Sequence, residues 1–93
     1  FGIRAERLAR RLEQDGELPT EQLPHAPSGR VERSSADALF PRYRADVEAA
    51  PEDWRAWFRL ALVYDAAGDR RRARWATRTA IRLERIRPGS PRA

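Results

Sequence analysis

The apolar residues of this chain recur at helical spacing in four separate stretches. In "FGIRAERLARRLEQDGELP", Phe1, Ala5, Leu8, Ala9 and Leu12 lie within roughly 100° of one another on a wheel of about 3.6 residues per turn. The spacing predicts a short amphipathic helix within residues 1–16, with Gly16 placed to end it. Residues 17–34, which include "LPTEQLPHAPSGRVER", carry prolines and a glycine with no periodicity and are read as a Pro-rich linker. Leu18 and Leu23 are the residues able to pin that linker to a core.

A second helix is expected over 36–49 in "SSADALFPRYRADVEAAP". Ser34 or Ser35 would cap it, Asp37 would sit in its first turn, and Leu39, Phe40, Tyr43, Val47 and Ala50 would make its apolar face. Pro41 removes a backbone hydrogen bond, so it either kinks this helix or marks its true start. "PEDWRAWFRLALVYDAAGDR" follows, with Trp54, Trp57, Phe58, Leu60, Ala61, Leu62, Val63 and Tyr64 covering more than half the wheel. A helix apolar over so much of its circumference is the sandwiched one. It is expected over 52–67, with Pro51 just inside its start and Gly68 just past its end. The last helix is expected over 70–86. With Ala73 set at zero, Ala76, Ala80 and Leu83 fall between about 280° and 360°. Arg71, Arg74, Arg78, Arg82 and Arg85 fall between about 100° and 180°, so small residues and arginines occupy different faces. Residues 88–93 form a flexible tail. The fold class is all-α.

At 93 residues the chain is one small domain with a modest core. Cysteine and methionine are absent and there is one histidine, which removes disulfides, thiolate metal sites and most metal or triad chemistry. His25 lies in the linker without a second histidine near it. Ser34 and Ser35 have no base placed to activate them, and Glu52 with Asp53 make a first-turn acidic pair suited to the helix dipole. No catalytic, cofactor or metal set emerges, so the function expected is binding. No apolar run is long enough to cross a bilayer.

The net charge of +5 is unevenly distributed. Residues 70–93 hold nine arginines against Glu84 alone, a local balance of +8. All nineteen basic residues are arginine, a bias that GC-rich coding would also produce. The stripe of Arg71, Arg74, Arg78, Arg82 and Arg85 is therefore open to several readings: a solvated face, an anionic membrane surface bordered by Trp75 and Ile86, a nucleic-acid contact, or an acidic protein partner. The last helix has no Asn, Gln or Lys to read bases, which makes nucleic acid the weaker fit. Trp75 is either an exposed anchor or packed against a neighbouring segment.

Trp57, Leu60, Ala61 and Tyr64, followed by Gly68, Asp69, Ala73, Ala80, Ile81 and Leu83, resemble the tetratricopeptide repeat in residue type and spacing. Two positions depart from the pattern: Thr77 stands where a large aromatic is usual, and no proline follows Leu83 until Pro88. Tyr43, Val47 and Pro51 fit the second helix of a preceding unit. The resemblance spans about one and a half repeats over 36–86. It implies antiparallel helix hairpins across 35–87, with the N-terminal helix as an addition. The order of segments is also similar to the soluble part of small membrane-anchored bacterial repeat proteins, which would place an anchor upstream of Phe1 and the domain on the cytoplasmic side.

The family resemblance implies a non-enzymatic scaffold that binds a peptide or helix, or a second copy of itself, in a groove. The groove residues would be Arg55, Phe58, Arg59, Leu62 and Asp65. Phe58 and Leu62 would supply apolar contact, and Arg55 and Arg59 charge selection. No cofactor or small-molecule substrate is implied. The alternative is a peripheral binder of anionic surfaces, lipid headgroups or RNA, through Arg71, Arg74, Trp75, Arg78, Arg82 and Arg85. Stacked repeats ordinarily need about three units, so the groove must be covered. Three candidates can cover it: the helix at residues 3 to 15, the Leu18 to Leu23 linker, or a second chain.

Overall fold

A computed structural model of the chain describes residues 3–19 and 38–86. Its regular elements are all helical: α1 (Ile3–Gln14), α2 (Phe40–Ala49), α3 (Trp54–Ala66) and α4 (Arg70–Ile86). The all-α expectation holds. Residues 20–34 of the expected linker, the tail at 88–93, His25, Ser34, Ser35 and Asp37 lie outside the described residues.

Two glycines set helix ends. Gly16 and Gly68 take left-handed backbone conformations, φ 69° and 86°, which a residue with a Cβ adopts only under strain. Each turn satisfies two orphan carbonyls in the Schellman arrangement. Past α1, the Gly16 N–H donates to the Glu13 carbonyl and the Glu17 N–H to that of Leu12, at 3.1 and 2.8 Å. Past α3, the Gly68 N–H donates to the Asp65 carbonyl and the Asp69 N–H to that of Tyr64, both at 3.0 Å.

Helix starts depart from expectation at two points. α2 begins at Phe40 rather than 36, because Pro41 occupies the first turn, where its missing N–H is not needed. Pro41 thus marks a start and makes no kink; Leu39 at the cap position gives no side-chain hydrogen bond. α3 begins at Trp54 rather than 52. Asp53 is its N-cap, in extended conformation, and its carboxylate accepts the Arg55 N–H at 3.0 Å. Pro51 and Glu52 therefore lie in the preceding turn, and Asp53 is the member of the acidic pair that caps the helix.

α3 is the central element and packs against α1, α2 and α4. On one side, Tyr43 and Val47 of α2 bury against Ala56, Leu60 and Val63 of α3. On the other, Ala5, Leu8 and Leu12 of α1 bury with Trp54 and Phe58 of α3 and Ala80 of α4. Burial raises the Tyr43 hydroxyl above its ordinary value of 10.0, with Arg42 and Arg59 opposing the shift and Asp46 adding to it. α3 and α4 share the most extensive contact, and the three residues 67–69 between them turn the chain straight back. The buried small residues Ala61, Ala73, Ala76 and Ala80 let these two backbones approach closely. No described helix is long and apolar enough to cross a membrane.

Thr77, one of the two departures from the repeat pattern, is buried, and its hydroxyl has no hydrogen-bond partner among the described residues. A desolvated, unpaired hydroxyl costs about 1–3 kcal/mol. Thr77→Val keeps the shape and removes the oxygen, so it is expected to stabilise the fold by about 1 kcal/mol. A rise of roughly 4–8 °C in Tm for a domain of this size would register it in a thermal melt.

Candidate partner-binding surfaces

Among the described residues, α1 covers the Phe58 face of α3. Its apolar residues Ala5, Leu8 and Leu12 sit three and four positions apart, which places them in one row on the helix. That row meets Trp54 and Phe58 on α3 and Ala80 on α4, with Leu62, Ile81 and Leu83 partly buried around it. Phe58 is only 1% exposed. Leu18 is exposed, so the described start of the linker adds no apolar cover.

Charged residues hold α1 along its middle and just beyond its C-terminal end. Glu84, the one acid within α4, is buried at 5% exposure, and its two carboxylate oxygens accept from Arg7 at 3.3 Å and Arg11 at 2.9 Å. Beyond the C-terminal end of α1, Arg55 pairs with Asp15 at 3.1 Å and with Glu17 at 2.8 Å. Arg59 donates to the Glu17 carbonyl at 3.3 Å. The Trp54 ring carries the Arg55 and Arg11 guanidiniums at 4.7 and 5.2 Å from its centroid, so it joins the polar contacts to the apolar row.

Four of the five expected groove residues lie against the chain's own α1 or the segment after it. Phe58 and Leu62 form part of the seat, Arg55 and Arg59 hold the segment after α1, and Asp65 is exposed. Glu84 was not legible as a contact residue. Its one signal was its isolation among arginines on the buried side of the wheel.

The arginine stripe is where the wheel placed it. Arg71, Arg74, Arg78, Arg82 and Arg85 are all exposed, and none makes an ion pair with a described residue. Arg72, off the stripe, pairs with Asp69 at 3.1 Å. Trp75 is both packed and open: its ring meets that of Trp57 edge-on at 5.1 Å, while 49% of the residue faces solvent. Ile86 is 66% exposed.

A groove of about 450 Å³, not anticipated from the sequence, runs between α2, α3 and α4 and is walled by Phe40, Trp57, Tyr64 and Trp75. The Phe40 and Tyr64 rings pack tilted at 47° with centroids 4.9 Å apart, and the Trp57 indole N–H donates to the Pro51 carbonyl at 2.8 Å, which fixes two of its walls. Trp57 and Tyr64 belong to the apolar girth of α3, and the wheel does not reveal the groove because it gives each residue one direction while the groove is formed by three helices. Among the described residues no group of three His, Asp or Glu side chains is placed to hold a metal ion.

No protein-family model matches this chain, and no curated protein or solved structure matches it. The likeness to the tetratricopeptide repeat rests on the motif residues themselves.

Proposed function

We propose that this chain is a non-enzymatic interaction module that recognises an amphipathic helix on the face formed by α3 and the inner side of α4. In this reading α3 and α4 make one unit of tetratricopeptide type, and α2 is the second helix of a preceding unit. The observation that carries it is the docking of α1. A helix with a small-and-leucine row, two arginines one turn apart and carboxylates just past its C-terminal end finds a matching surface in Phe58, Glu84 and Arg55. The partner is a helix of that pattern, on another protein or on a second copy of this chain.

Leu8→Asp with Leu12→Asp would vacate the seat. A fluorescent peptide spanning Ile3 to Pro19, added in trans, is expected to bind that variant at least about tenfold tighter than the wild-type chain, where the tethered helix competes at an effective concentration on the order of millimolar. Fluorescence anisotropy reads the difference, and far-UV circular dichroism checks that α2 to α4 stay folded. Equally weak binding to both folded chains would eliminate the helix-recognition reading. Light scattering over a concentration series shows whether the wild-type chain exchanges α1 between copies.

A further inference from the structure

On a face separate from the α1 seat, we infer that the outer side of α4 is a docking surface for an anionic lipid bilayer. Arg71, Arg74, Arg78, Arg82 and Arg85 line one side of a helix about 25 Å long, all exposed and with no ion pair to a described residue. The acid that would have weakened this field is turned away from it: Glu84 is buried and taken up by Arg7 and Arg11. The remaining face is uniformly cationic, and the charge complement of such a face is an extended anionic surface.

Apolar side chains at the edge of the stripe select a bilayer over other polyanions. Trp75 and Ile86 lie at about 200° and 220° on the wheel used above, beside arginines at 100–180°. Their 49% and 66% exposure leaves them free to enter an interface. Arg78, Arg82 and Arg85 also edge a shallow depression of about 440 Å³ with Ile81 and Ile86, so guanidinium and aliphatic groups alternate at one end of the helix. A helix lying in the headgroup plane presents this combination, with cationic groups at phosphate level and an aromatic ring and an aliphatic chain just beneath. Trp75 is partly pre-ordered for that position by its edge contact with Trp57. RNA would need base-reading or stacking groups, and α4 offers one tryptophan already engaged at its edge and no Asn, Gln or Lys.

The test is sedimentation of the full chain with phosphatidylcholine vesicles, with and without phosphatidylserine, alongside a single-stranded RNA binding series at the same ionic strength. The wild-type chain should partition onto the phosphatidylserine vesicles alone. Arg74→Glu with Arg78→Glu and Arg82→Glu should lower that partitioning at least about a hundredfold, since each basic residue near an anionic surface contributes roughly fivefold. The matching Arg→Lys variant should keep most of it. Brominated lipid should quench the wild-type chain more strongly than Trp75→Phe, which keeps the buried Trp54 and the partly buried Trp57. Binding to neither vesicle, equal binding to both, an unaffected triple Glu variant, or RNA binding tighter than vesicle binding with no bromine quenching would each overturn the assignment.

Discussion

Phe58→Ala is expected to lower the unfolding free energy by about 3–5 kcal/mol, as large-to-small changes at fully buried aromatic sites do. The ring is 1% exposed and lies in the cluster that joins Leu8 and Leu12 of α1 to Trp54 and Ala80. A domain of this length has about 5–14 kcal/mol in total, so the loss is about a fifth of its stability or more. Urea denaturation reads it as a large fall in midpoint. A change below about 1 kcal/mol would show that α1 does not seat on Phe58. Any binding defect of this variant therefore reports unfolding as readily as lost contact. Leu62→Ala, at the partly buried rim of the same cluster, is the better probe of partner recognition.

Breaking the Glu84 pairs from either side should give unequal results. Removing both arginines, Arg7→Ala with Arg11→Ala, leaves a buried carboxylate with no counter-charge, which costs about 3–5 kcal/mol. Glu84→Gln leaves two arginine side chains that are 56% and 33% exposed and can turn into water. That change should cost about 1 kcal/mol, in the range of exposed pairs. Adding Glu84→Leu to the double arginine variant should recover most of its loss, because an apolar residue tolerates burial that an unpaired carboxylate does not. Chemical denaturation of the four chains measures the pattern. Equal losses for the two sides would mean that solvent reaches Glu84.

Much of this architecture is legible in local chemistry. Gly16 and Gly68 end helices where their backbone freedom is needed, and the apolar girth of α3 announces a helix covered on several sides. The wheel of α4 separates alanines from arginines correctly because both sets belong to one element. The candidate site is legible only in part, because it is made between elements. The periodicity of α1 states that Leu8 and Leu12 must be covered without stating by what. The partners of Glu84 are 77 and 73 residues away along the chain, and nothing near Glu84 points to them. Pro41 and Asp53 leave single turns open: each fits a helix interior or a helix start by composition, and the backbone shows both to be starts.

The pairing of Arg7 with Glu84 also bears on the order in which the molecule is made. α1 leaves the ribosome ahead of α2 to α4, while the last parts of its seat, Ala80 and Glu84, follow much later, Glu84 being 77 residues beyond Arg7. At about 5–20 residues per second, α1 waits roughly 4–15 s for its own docking surface. During that interval its leucine row is uncovered and available to any competing helix or chaperone. The identity of the first helix to reach α3 is thus decided by the clock of translation as well as by affinity.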